Sequence, residues 1–298
     1  MRVTQQMLNN TALNGMQTNL NRIQDLQKQA ASGKRVSRPG DDPFAVEQSL
    51  GFRSRISTSE TARQNIAMSQ DWLNATDKAL SDMGELLTRT RTLALKGASE
   101  TLGPDERQAL ATEVNGLLDQ AIAIGNTRHG EEYLFAGFQV KTQPFTGNMT
   151  GGQVTSITYS GDSGQIMREI EPGTDMAVNI PGDTLFTGTF DTLMKLRDSL
   201  EADPFVVSDV SDIAATTETE LDNILDIQAA TGTKARRLET TAARMEDTEI
   251  GMRELLSNAE DVDMAEIASQ LNQQQFVYQT ALSVNGKVLR TSLLDFIR

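Results

Sequence analysis

Between residues 62 and 94 the chain repeats itself every seven positions. Ile66, Leu73, Leu80, Leu87 and Ala94 form one series, Ala62, Ser69, Thr76, Met83 and Thr90 a second, and Trp72, Ala79, Leu86 and Leu93 a third. Only an α-helix brings residues so spaced onto one face. Three rows exceed a two-stranded seam, so this helix asks for two or more partner helices. Asp42 is a good N-cap and Pro43 a good first helical residue. The helix is therefore expected over residues 43–97, roughly 80 Å at about 1.5 Å per residue.

Other helices flank it. Leu13, Met16, Leu20 and Ile23 make a thin seam that ends at Ser32-Gly33, where glycine can take the positive φ that closes a helix. Gly97 to Gly103 breaks the long pattern, Pro104 restarts it, and Leu110, Val114, Leu117, Ala121 and Ile124 predict a helix folding back on the first. From about residue 133 to 188 the period drops to two: Val154, Ser156, Thr158 and Ser160 alternate with Thr155, Ile157 and Tyr159, among Gly and Pro turn signals. Helix returns over Phe190–Leu200 and over about Ser208–Asn258, where Leu238, Met245, Met252 and Ala259 again recur every seven. A last helix runs from about Asp263, with Met264, Ile267, Leu271, Tyr278, Leu282, Val288, Leu289, Leu293 and Phe296.

The expected fold is mainly α, a long antiparallel helical bundle or coiled coil formed by the N- and C-terminal segments, with a small β-rich insert domain. Five parts follow: an assembly helix over 1–42, a long helix and hairpin over 43–132, the insert over 133–205, a long core helix over 206–260, and a second assembly helix over 261–298. With aromatics at only 5% of 298 residues, aliphatic packing is expected over ring-filled cores.

The net charge of −14 argues against a nucleic-acid partner, since phosphate binding needs clustered cations. Residues 1–40 sum to +5 and residues 264–298 to +1, so the acidity lies between. That leaves the ends free of strong self-repulsion. No apolar run approaches the roughly 18 residues that span a bilayer, so no membrane insertion is expected, and residues 1–15 are too polar for a cleavable signal peptide. The absence of cysteine excludes disulfides and thiolate metal sites.

Candidate chemistry is sparse. His129 is the only histidine and reads as a solvated residue ending the hairpin's second helix. Ser32-Gly33-Lys34 lacks the earlier glycine of a phosphate loop, its place taken by Lys28. Asp261-Val262-Asp263 with Glu266 reads as a helix start, Asp263 capping and Glu266 reaching back, and Asp41-Asp42-Pro43 reads likewise. The methionines at 7, 16, 83, 245 and 252 read as core filler. No catalytic residue, metal or cofactor is expected, and the chain reads as structural rather than enzymatic.

Ala31-Ser32-Gly33-Lys34-Arg35-Val36, followed by Asp41-Asp42-Pro43, resembles the segment of flagellins and their relatives where one terminal helix ends and the next begins. Asp261-Val262-Asp263-Met264-Ala265-Glu266 through Leu293-Leu294-Asp295-Phe296-Ile297-Arg298 resembles the family's C-terminal helix. Gly130-Glu131-Glu132-Tyr133-Leu134-Phe135-Ala136-Gly137-Phe138, with Pro144-Phe145 and Ser292-Leu293-Leu294-Asp295-Phe296, is similar to the family's hook-filament junction branch. The resemblance implies a flagellar location reached by type III export. It implies as partners flagellin, the other hook-associated junction protein, copies of the chain itself, and an export chaperone on the C-terminal helix. Leu13, Met16, Leu20, Ile23, Leu271, Tyr278, Leu282, Val288, Leu289, Leu293 and Phe296 are the expected assembly interface, with both ends loosely ordered until neighbours cover them. Rival readings are a minimal filament flagellin and, more distantly, a secreted hydrolase or adhesin with its site in the insert.

Overall fold

The computed structural model describes the backbone of residues 5–296, and the side chains of Met7 and of residues 10–286. Among the described residues the helices are α1 (Gln5–Ser32), α2 (Pro43–Gly97), α3 (Pro104–Gly125), α4 (Gly182–Glu201), α5 (Val207–Glu260) and α6 (Met264–Phe296). Between α3 and α4 lie β1 (Arg128–His129), β2 (Glu132–Tyr133), β3 (Phe145–Thr150), β4 (Gln153–Tyr159), β5 (Met167–Glu171) and β6 (Thr174–Ala177). The strands form three separate antiparallel pairs, β1–β2, β3–β4 and β5–β6. The chain divides into two compact units, Met1–Ser57 with Thr248–Arg298, and Thr58–Asp247.

In the second unit every residue of the three α2 rows is buried. The wide stripe meets more than one helix, as its width requires: Leu80, Leu87 and Leu93 share a core with Val114 and Leu118 of α3, Leu193 and Leu196 of α4, and Val210 and Ile224 of α5. Arg89 to Glu113 and Arg91 to Glu218 pair charges along its rim. A smaller core joins Ile66 and Leu73 of α2 to Leu238 and Met245 of α5 beneath Ile170, Met176 and Val178. Of the methionines expected as filler, Met83 and Met245 are buried, Met16 and Met252 half-buried, and Met7 exposed.

Three expectations are corrected. The few aromatic rings are not scattered: Phe135, Phe145, Phe186 and Phe190 are all buried together, with centroids 4.8–6.2 Å apart. They fill the space where α4 meets the β3–β4 hairpin, so part of this core is ring-filled after all. That cluster also explains why α4 starts at Gly182 instead of Phe190, since Leu185 and Phe186 are pulled into it. The strict alternation predicted around β4 is broken by a bulge. Asn148 pairs with Ser156 and Met149 with Val154, so Thr155 is the extra residue. Buried Val154 and half-buried Ile157 and Tyr159 then join one core, where unbroken alternation would have set Val154 on the opposite face. A second bulge inserts Ile170 between Glu169 and Glu171 and coincides with its full burial.

The run 130–138 is a turn followed by a plug. Gly130 takes φ +62 between β1 and β2, Leu134, Phe135 and Ala136 are buried, and Gly137 takes φ +69. Asp162 Oδ1 accepts from the Phe138 N–H (2.7 Å), and a Cβ at Gly137 would stand 2.1 Å from the Asp162 carbonyl oxygen. Gly137→Ala therefore combines a left-handed backbone with a backbone collision, and is expected to destabilise the second unit by about 2 kcal/mol or more in chemical denaturation. Gly151→Ala shares the positive φ but has open space around it, and should cost less.

Candidate assembly surface

In the first unit α1 and α6 pack on each other. The less exposed positions of α1 are Ala12, Met16, Asn19, Ile23, Leu26, Gln29 and Ala30, and those of α6 are Ile267, Leu271, Gln274, Tyr278, Ala281 and Asn285. Gln29 aside, both series step by fours and threes, the spacing of a coiled-coil seam. The end of α1 lies beside the start of α6, so the pair is antiparallel: Gly33 O accepts from Val262 N–H at 3.1 Å, and Lys34 bridges Asp261.

This seam is thin. Among these positions only Leu26 and Ile267 fall below a tenth exposed, and Asn19, Gln274 and Asn285 take places an apolar residue would fill. Gln274 Oε1 is buried without a hydrogen-bond partner, a loss of about 1–3 kcal/mol.

The expected interface residues divide accordingly. Met16, Ile23, Leu271 and Tyr278 are half-buried along the α1–α6 seam, whereas Leu13 (62% exposed), Leu20 and Leu282 lie outside it. The side chains of Val288, Leu289, Leu293 and Phe296 lie outside the described residues. On α6 a further exposed apolar row missing from the expected set, Phe276, Val277 and Val284, flanks a shallow groove with Thr280, Ala281 and Asn285. Its spacing of one, then seven, is visible in the sequence, but which face of α6 stays open depends on where α1 packs. Among the described residues the terminal segments form α1 and α6, which pack on each other within the single chain and leave their outer rows open.

The two segments that resemble flagellin meet in space. Gly33 ends α1 with φ +70, as its sequence predicted. The next residues close the end of α5, whose last carbonyls have no partner within the helix. Arg35 N–H donates to Glu260 O (2.6 Å), and the Arg35 guanidinium to Ala259 O (3.0 Å). Helix starts nearby are capped as expected: Asp42 Oδ1 accepts from Ala45 N–H (3.1 Å), and Asp263 Oδ1 from Ala265 N–H (2.8 Å). Glu266 departs from expectation, because its carboxylate accepts from the Gln270 amide on the next turn.

His129 sits in β1, beyond the end of α3, exposed and edge-on to Trp72. Burial raises the Tyr159 pKa, and its hydroxyl lies 2.9 Å from Phe135 O and 3.0 Å from Asp162 O. Burial lowers the Lys234 pKa, and its ammonium donates to Ala177 O. Burial first, and the nearby Asp191 charge second, raise that of Glu220. Among the described residues no group of three or more His, Cys, Asp or Glu is placed to hold a metal, and no helix is long and apolar enough to cross a membrane.

The fold and this surface define a mainly α protein whose N- and C-terminal segments fold together as one helical unit. Residues 3–140 match the bacterial flagellin N-terminal helical region and residues 214–297 the bacterial flagellin C-terminal helical region, and the chain belongs to the flagellin family. It is 24% identical to flagellar hook-associated protein 3 of Salmonella typhimurium, over all of both chains. It is 27% identical to flagellar hook-associated protein 3 of Escherichia coli, over 96% of this chain and 95% of that one. A putative flagellar hook-associated protein from Vibrio parahaemolyticus shares the fold, with TM-score 0.65 at 20% identity over 74% of this chain and all of that one.

Inner and outer rows should respond differently to charge. Leu26→Asp is expected to separate α1 from α6 in the monomer, read as faster amide exchange through both helices. Leu20→Asp should leave their exchange within about twofold of the parent.

Proposed function

We propose that the chain is a structural subunit of the bacterial flagellum, a hook-associated protein that joins hook to filament through its terminal helices. The observation that carries this reading is the paired terminal helices that keep apolar rows uncovered: Leu13 and Leu20 on α1, and Phe276, Val277, Leu282 and Val284 on α6. The α1–α6 seam does not need these residues, and exposed apolar rows on a soluble pair are the mark of an interface awaiting other subunits. The full-length similarity to proteins named as hook-associated favours this branch of the family over filament flagellin.

In this reading the segments 1–42 and 261–298 are the assembly parts, and the partners are flagellin, the other hook-associated junction protein and further copies of the chain. The chain is exported to the flagellum, with a chaperone holding the C-terminal helix beforehand. Successive subunits touch through unlike faces, which builds a stacked array with no need for a reaction centre.

The test separates folding from assembly. A chain with Leu13→Asp and Leu20→Asp is expected to be exported and to keep the parent's thermal unfolding, while flagella of cells carrying it lack filaments and shed flagellin into the medium. Normal filaments on such cells would refute the role of the outer α1 row. Long filaments formed by the purified parent chain alone would favour filament flagellin instead.

A further inference from the structure

Glu260 is the last residue of the 54-residue helix α5 and is only 6% exposed. Both facts count against a carboxylate there. The C-terminal end of a helix carries partial negative charge, and burial strips away hydration. Two cations offset this, and neither belongs to α5. Lys34, just past the end of α1, donates to Oε1 at 2.5 Å, and Arg53 of α2 donates to Oε2 at 2.6 Å. The same residue's carbonyl accepts from Arg35 N–H. One side chain and its own backbone thus hold the exit of α1, the early part of α2 and the end of α5 at a single point.

Among the described residues the α1–α6 seam is lightly packed: Leu26 and Ile267 are buried, Asn19, Gln274 and Asn285 sit at half-buried seam positions, and the Gln274 oxygen has no partner. Where α1 ends, by contrast, the charged contact of Lys34 and the backbone contact of Arg35 converge on Glu260, joined there by Arg53.

We propose that Glu260 is the register latch of the terminal unit: its carboxylate, clasped by Lys34 and Arg53, fixes where α1 stops against where α6 starts. The latch is a property of the single chain. Its consequence, that the outer rows of α1 and α6 are presented in one alignment to other subunits, rests on the assembly reading above.

Glu260→Gln keeps the shape and removes the charge. Lys34 and Arg53, with side chains 37% and 49% exposed, can return to water, so the variant isolates the clasp and does not strand two buried cations. Amide exchange of the purified monomer is expected to accelerate about tenfold or more over residues 26–36 and 264–271, and by less than about twofold within 58–247. Raising salt should speed exchange at the same amides in the parent but not in the variant. Lys34→Gln is a second route should Glu260→Gln fold poorly, and is expected to accelerate the same two stretches. Unchanged exchange at those stretches, or acceleration spread equally through 58–247, overturns the latch. This monomer measurement is independent of the filament test of Leu13 and Leu20, so the latch can fail while the assembly reading stands, and the reverse.

Discussion

The first unit depends on how one long helix is brought to an end. Helix α5 finishes with carbonyls that have no partner within it, and Arg35, from the far end of the sequence, donates its N–H to Glu260 O and its guanidinium to Ala259 O. Lys34 and Glu260 stand 226 positions apart. A contact so distant in sequence forms only after the intervening chain has been brought into place, because loop closure costs entropy before the contact returns anything. Capping α5 therefore also aligns the two terminal helices.

The two units differ in what holds them. In the second, Leu73, Leu80 and Leu87 are at most 1% exposed, four phenylalanines are locked edge to face, and Arg197 buries its guanidinium against Val154 O, Asn115 and Asp198. Each fully buried large side chain contributes about 1.5–3 kcal/mol. In the first unit the described α1–α6 seam has only Leu26 (7% exposed) and Ile267 (4%) buried, with amides at several of its other positions. One unit is densely packed and the other lightly held, and the lightly held one contains both terminal helices.

Much of this was legible in the sequence, for reasons that are local. The three rows of α2 are a repeat within one helix, and its limits at Pro43 and Gly97 are set by residues that begin or break helices. The positive φ at Gly33 and the cap at Asp42 were legible likewise. What escaped depends on partners. Thr184, Thr187 and Gly188 are poor helix formers, and packing of Leu185 and Phe186 overrides that preference to start α4 early. The Thr155 bulge exists only relative to the register of β3. Seven-residue spacing placed Leu13 and Leu20 in one stripe with Met16 and Ile23, but which half of that stripe faces α6 is decided by α6. Glu260 was one of 41 acidic residues until its cations arrived from positions 34 and 53.

Charge gives the open rows a direction. The acidity lies between residues 41 and 263, while residues 1–40 and 264–298 sum to +5 and +1. Like-charged bodies repel within about a Debye length, roughly 8–10 Å at ordinary salt, so two copies meeting by their acidic middles are pushed apart. The terminal helices carry little of that penalty and hold the uncovered Leu13, Leu20, Phe276 and Val284. On the proposed assembly reading, apolar burial and electrostatics thus favour the same encounter, through the terminal helices. Added salt should relax the discrimination against other encounters while leaving the apolar attraction in place.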